Sequence, residues 1–175
     1  METNYKAYLQ HITTFIFDVD GVLTDGTVMI TSDGQMLRSM TVRDGYAIKV
    51  AIDKGYRIGV ISGGTNPGVA SRLKGLGVTD VYLGEQHKPE RLLSYLNEHG
   101  IAAKNVLYMG DDIPDREAMQ SVGLPCCPND AVSEIKEICT YISHKNGGKG
   151  CVRDVIEQVL KVQGNWIKSK GATPH

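Results

Sequence analysis

The sequence predicts an α/β fold: a doubly wound, mostly parallel, Rossmann-like sheet with helices on both faces and one β-hairpin after the first strand. Two observations carry this. Short apolar runs alternate with amphipathic stretches along the chain, and such strand–helix alternation is what a parallel sheet needs, because each crossover must return the chain to the same end of the sheet. Three of the amphipathic stretches open on proline and several close on Gly55, Gly75 or Gly100. Proline is favoured at the first helical position and glycine just past the last.

The strands are expected at Thr13 to Phe17, Arg57 to Ile61, Asp80 to Leu83, Asn105 to Met109 and Thr140 to Ile142. Helices are expected over Asp44 to Lys54, Pro67 to Gly75, Pro89 to His99, Pro114 to Ser121, Ala131 to Glu137 and Val152 to Val162. One segment breaks the alternation. Thr27 to Ile30, Thr31-Ser-Asp-Gly34 and Gln35 to Val42 read as a β-hairpin turning at Asp33-Gly34, a strong hairpin dipeptide. No other insertion is long enough for a second domain, so residues 1–166 are expected to form one unit, with 167–175 as a polar, flexible tail.

Composition narrows the function. A chain of 175 residues with 41% hydrophobic and 22% charged residues and a net charge of −1 matches a soluble globular protein. No basic block points to nucleic acid, and no apolar run is long enough for a membrane span. The start, METNYKAYLQ, lacks the apolar stretch of a secretory leader, which leads us to expect a cytoplasmic protein. Cys126, Cys127, Cys139 and Cys151 form no C-x-x-C pair and read as idle thiols of a reducing compartment.

Four features carry chemistry, each at an expected strand end, where open parallel sheets bind their ligands. Asp18-Val-Asp20-Gly21 places two carboxylates on one side of the emerging chain, with a glycine that lets the backbone turn. Ser62-Gly63-Gly64 before the Asn66-Pro67 helix start offers a hydroxyl and free amides to a phosphate. Lys88 precedes a helix whose dipole disfavours a cation, so an anion shared between the two explains it. Gly110-Asp111-Asp112-Ile-Pro-Asp115 brings carboxylates to the place a hard cation would occupy, although Asp112 or Asp115 can equally cap the Pro114 helix. Together the four supply the parts needed for phosphoryl transfer.

The order Asp18-Val-Asp20-Gly21-Val22-Leu23-Thr24, Ser62, Lys88, Gly110-Asp111-Asp112 resembles the four motifs of the haloacid dehalogenase (HAD) superfamily of phosphatases, from Phe15 to Asp115. With only the hairpin where a cap domain is usual, it resembles the capless subclass, which implies a homotetramer with neighbours closing the site. Thr41-Val-Arg-Asp-Gly45-Tyr46, Arg72, Gly147-Gly-Lys-Gly-Cys-Val-Arg153 and Val162-Gln-Gly-Asn-Trp166 are similar to the family of 3-deoxy-D-manno-octulosonate 8-phosphate (KDO 8-phosphate) phosphatases of lipopolysaccharide sugar synthesis.

The resemblance implies Asp18 as nucleophile and Asp20 as acid and base. It implies Mg²⁺ on the Asp18 carboxylate, the Asp20 main-chain carbonyl and Asp111, with Asp112 and Asp115 behind them. Ser62, Gly63 and Lys88 would hold phosphate. A small sugar-acid phosphate would meet Thr41, Val42, Arg43, Asp44, Gly45, Lys49, Gly64 and Arg72, and Lys149 or Arg153 would reach a neighbouring site. The chain departs from that family at Thr41, Lys49 and Gly64, where asparagine, arginine and arginine are common. A lost arginine at Gly64 removes a bidentate partner for a carboxylate. Ketodeoxynononate 9-phosphate or another sugar phosphate is therefore an alternative substrate. Two non-enzyme readings stand beside it, a phosphoacceptor receiver domain and an inactive regulatory module. The position of Asp18-Val-Asp20-Gly21 on the first strand disfavours the receiver, and the full set of catalytic residue types disfavours the inactive module.

Overall fold

The computed structural model describes residues 4–167. In chain order the elements are α1 (Lys6–Leu9), β1 (Thr14–Phe17), the hairpin strands β2 (Met29–Ile30) and β3 (Met36–Leu37), α2 (Val42–Asp53), β4 (Arg57–Ile61), α3 (Pro67–Gly75), β5 (Asp80–Tyr82), α4 (Lys88–His99), β6 (Val106–Met109), α5 (Arg116–Gln120), β7 (Leu124–Cys127), α6 (Ser133–Lys136), β8 (Tyr141–Ile142) and α7 (Cys151–Val162). The main sheet has six strands in the order β5-β4-β1-β6-β7-β8, and every pair in it is parallel.

β1 lies at the centre because the chain winds outward from it twice. It pairs with β4 (Phe17 opposite Val60) and with β6 (Phe17 opposite Met109). Winding reverses where α4 carries the chain from β5 back across to β6. The crevice between β4 and β6, beyond the end of β1, is thus the switch point of the sheet, where such folds bind ligands.

Strand periodicity sorts the core into two layers, since successive side chains point to opposite faces. Phe15, Phe17, Val60, Leu107 and Met109 pack with Ala47, Ile48 and Ala51 of α2, Leu73 of α3 and the apolar stripe of α7. Ile16, Ile61, Val106 and Tyr108 pack on the opposite face with Leu92, Tyr95 and Leu96 of α4 and Ala118 and Met119 of α5. The expected doubly wound architecture is present.

Several boundaries differ from the sequence reading. β7 was not expected: Leu124-Pro-Cys-Cys127 carries a proline, which argues against an interior strand. The Pro125 carbonyl accepts from Thr140 N at 2.9 Å. N–H and C=O of one strand residue face the same way, so the missing donor faces the two-residue edge strand β8 and leaves the β6 side of the ladder intact. The hairpin does turn at Asp33-Gly34, with Gly34 at φ 85°, but its strands end at Leu37. Thr41 instead accepts from Arg43 N at 3.3 Å as the cap of α2, so Val42 belongs to that helix and not to the hairpin. The expected helix from Pro114 is a single 3-10 turn, Ile113–Asp115, followed by the short α5. α6 is shorter than expected, and α1 was not expected. Of the tail expected over 167–175, only Ile167 lies within the described residues, and it is exposed.

Candidate active site

The chain leaves β1 through an irregular turn, Val19–Leu23, in which Gly21 takes φ 86°. Asp18 sits at its start, 7% exposed. Its Oδ1 accepts from the Val19 amide at 2.7 Å and lies 3.1 Å from Lys88 Nζ, which holds that oxygen in place. Lys88 is the first residue of α4 and is buried. Its ammonium also donates to Asp115 Oδ1 at 2.7 Å. Asp115 is buried too, and accepts from the Tyr108 hydroxyl at 3.1 Å and from Asp111 N at 3.3 Å. Asp115 therefore props Lys88 and the Asp111 backbone rather than facing solvent, whereas Asp112 is exposed and caps its own turn through Ile113 N at 2.8 Å.

Ser62 directly follows β4, 2% exposed, with its hydroxyl accepting from Gly64 N at 3.2 Å. The Gly63 amide donates to no acceptor among the described residues. Asn66 caps α3 through Gly68 N and Val69 N. Asp18, Asp20, Ser62, Gly63, Gly64, Lys88, Asp111, Asp112 and Asp115 line one cavity of about 450 Å³, with Gly26, Glu85, Gln86 and Pro114 completing its wall. All four motifs thus meet where the strand order places them.

The electrostatics are those of carboxylates short of a countercharge. Burial, and then the Asp115 charge, hold the Asp18 carboxyl well above the usual range against the pull of Lys88 and Val19 N. Burial and the charges of Asp115 and Asp112 push Asp111 up to about 7. Burial works to lower Lys88, but Asp115 and Asp18 outweigh it and keep the ammonium above its ordinary value. Carboxylate oxygens of Asp18, Asp111 and Asp115 lie within 4.8 Å of one another. Asp111 Oδ1 is buried without a hydrogen-bond partner among the described residues. Hard oxygens, close together and one of them unsatisfied, fit a small divalent cation. Asp115 is committed to Lys88 and Tyr108, so Asp18 and Asp111 are the side chains with capacity to hold it.

The sugar-contact residues expected from resemblance behave differently. Gly64 lines the cavity; Thr41, Val42, Arg43, Asp44, Gly45, Lys49 and Arg72 do not. Asp44 is 1% exposed and accepts from Arg153 N at 2.9 Å, so it caps α7 across the fold and is not open to a ligand. Gly45 is buried in contact range of Arg72 and Leu76. Arg43 faces a second cavity, of about 470 Å³, with Lys149 and Arg153. Arg153 is engaged within the chain: it bonds Glu157 at 3.2 Å and lies over the rings of Tyr46 and Trp166 at 5.8 and 5.6 Å.

One cation was missed. Arg38, just past β3, donates from Nε to Asp20 Oδ1 at 2.8 Å and from Nη2 to Asp20 Oδ2 at 3.2 Å. Its Nη2 also lies 3.6 Å from where a β-carbon on Gly64 would stand. A guanidinium from the hairpin thus stands beside position 64, with its fork committed to Asp20 and not to a ligand. Nothing in the local pattern marks Arg38, since an arginine just past a short exposed hairpin strand reads as solvated.

Residues 73–156 match the model of the haloacid dehalogenase-like hydrolases. The chain is 34% identical over 171 residues to the 3-deoxy-D-manno-octulosonate 8-phosphate phosphatase of Salmonella typhi, covering 98% of this chain and 91% of that protein. The phosphatase of the same name from Moraxella catarrhalis, in complex with magnesium, phosphate and KDO, superposes with a TM-score of 0.91 at 30% identity over 95% of both chains. The cobalt-bound enzyme of Haemophilus influenzae superposes with a TM-score of 0.86 at 32% identity, over 90% of this chain and 92% of that one. With the motifs gathered at the switch point and these likenesses spanning nearly its whole length, the chain belongs to the haloacid dehalogenase-like hydrolases, in the family of the 3-deoxy-D-manno-octulosonate 8-phosphate phosphatases.

Proposed function

We propose that this chain removes phosphate from 3-deoxy-D-manno-octulosonate 8-phosphate, a cytoplasmic step of lipopolysaccharide sugar synthesis, through a phosphoaspartate on Asp18. The observation that carries the reading is the Asp18–Lys88–Asp115 chain beside Ser62 and Asp111 in one cavity. Asp18 attacks phosphorus and the phosphorus–sugar oxygen bond breaks, with Asp20 giving its proton to the leaving oxygen. Asp20 then takes a proton from water as that water attacks the phosphoaspartate, and inorganic phosphate leaves. Ser62 Oγ, the Gly63 amide and Lys88 hold the phosphoryl oxygens, as donors aimed at developing charge should.

Mg²⁺, held by Asp18, Asp111 and the Asp20 main-chain carbonyl, would supply positive charge against the anions of the site. The cations offered to the sugar acid's carboxylate are Arg43, Lys49 and Arg72, brought to the cavity by a covering neighbour, and Lys149 lines one cavity with Arg43. Cover from a neighbour is also what the hairpin implies. Met29 and Ile30 are each 70% exposed, beside the exposed Met36 and Leu37, and among the described residues the outer edges of the two strands pair with nothing. We place the chain in a homotetramer with no nucleic-acid partner. Among the described residues, no helix is long and apolar enough to cross a membrane.

The test is kcat/KM for KDO 8-phosphate, ketodeoxynononate 9-phosphate and hexose phosphates side by side, with Asp18→Asn as control. The eight-carbon acid should lead and Asp18→Asn should lose at least about a thousandfold in kcat. Preference for the nine-carbon acid moves the substrate, and preference for hexose phosphates removes the carboxylate argument. An Asp18→Asn enzyme within about tenfold of wild type overturns the nucleophile.

A further inference from the structure

Asp20 is the most open of the acids that the proposed chemistry uses: 37% of its side-chain surface is exposed. A carboxylate in that setting rotates among rotamers unless something holds it. Here a single guanidinium holds both oxygens, Nε on Oδ1 at 2.8 Å and Nη2 on Oδ2 at 3.2 Å. Among the described residues, no other side chain or amide donates to the Asp20 carboxylate. Arg38 itself is tightly placed. Its side chain is 11% exposed, and its remaining nitrogen, Nη1, donates to Met36 O at 3.2 Å.

The same carbonyl accepts from Asn66 Nδ2 at 2.7 Å. Asn66 is the cap of α3, at the junction that begins with Ser62. The hairpin arm is therefore pinned at Met36 O from both sides. The chain of contacts runs Asn66–Met36–Arg38–Asp20, from the phosphate-binding turn to the acid. Surface ion pairs usually contribute little, but a bidentate fork with a half-buried arginine fixes the plane and direction of its carboxylate.

We propose that Arg38 is a positioning residue that aims Asp20 at the leaving-group oxygen, so that the hairpin takes part in proton transfer as well as in covering the site. This rests on the reading of Asp20 as the proton donor. Proton transfer depends on reach and alignment, and matters most when the leaving oxygen is a poor leaving group. Loss of Arg38 should therefore cost little with an acidic phenol as leaving group and much with a basic alcohol.

The experiment measures kcat/KM on phenyl phosphates of graded leaving-group acidity, none with a carboxylate, for wild type, Arg38→Ala, Arg38→Gln and Asp20→Asn. Arg38→Gln covers the case in which Arg38→Ala fails to fold, and thermal unfolding checks both. Both Arg38 variants should lose about tenfold or more on phenyl phosphate beyond their loss on p-nitrophenyl phosphate, part of the range a general acid contributes. Asp20→Asn should steepen the leaving-group dependence in the same direction. A uniform loss along the series, no loss, or a rise in KM alone overturns the positioning role. If Asp20→Asn itself shows no leaving-group dependence, the acid assignment fails instead, and the two failures are told apart.

Discussion

Gly21 lies directly against Asp111: a β-carbon built on Gly21 would overlap Oδ2 of that carboxylate. The contact joins the turn after β1 to the turn after β6, and it exists because Gly21 has no side chain and holds φ 86°.

Gly21→Ala should therefore damage the site in two ways. The left-handed backbone is strained for alanine, at about 1–3 kcal/mol, and Asp111 must move. A displacement of about 1 Å at a reacting centre costs about a hundredfold in rate. We expect a modestly lower thermal midpoint and a fall in kcat of that order. Wild-type kinetics in a folded Gly21→Ala protein would refute the close packing.

Asp111 should be required for metal. Its buried Oδ1, without a partner among the described residues, and a pKa pushed up to about 7 by burial and neighbouring carboxylates suit a carboxylate that holds a cation. EDTA should abolish phosphate release and Mg²⁺ restore it. Asp111→Ala should resist rescue at Mg²⁺ concentrations that saturate wild type, and calorimetric Mg²⁺ binding should weaken by at least about tenfold, as for loss of one hard oxygen from an octahedral site. Full activity without metal would contradict this.

The hairpin should hold the assembly. Burying a side chain such as Met29 or Ile30 contributes about 1.5–3 kcal/mol, and a lysine there forfeits it. Light scattering should give a tetramer for wild type and smaller species for the Met29→Lys, Ile30→Lys double variant, with activity falling as the tetramer dissociates. A fully active wild-type monomer would end the proposal.

Asp44 should make stability depend on pH. Burial, partly opposed by Arg153, raises its carboxyl from 3.8 to about 6. An acid with a raised folded pKa binds its proton more tightly when folded. Its favourable contribution is complete below about pH 4 and is lost as pH rises through about 6. The shift corresponds to at most about 3 kcal/mol. Asp44→Asn keeps an acceptor for Arg153 N and removes the charge. Unfolding free energies of the two proteins should therefore diverge in favour of asparagine between pH 4 and 7, by up to about that amount. Parallel pH profiles would show that Asp44 does not carry the effect.

The alternating architecture was legible in the residues alone, and so were the candidates Asp18, Asp20, Ser62, Lys88 and Asp111, which line one cavity. These are legible because apolar period, proline starts, glycine stops and the residues at a strand's end are local patterns. The sequence did not show β7, where proline and paired cysteines hide a strand. Which groups meet was settled by how distant elements pack. Arg38 folds back through the hairpin onto Asp20, Asp115 turns inward to Lys88 and Tyr108, and Asp44 leaves the expected sugar site to cap α7. The physical reason is that a side chain's partner depends on strand order and on the crossings of distant elements. The same aspartate is a ligand contact or a helix cap according to what packs opposite it.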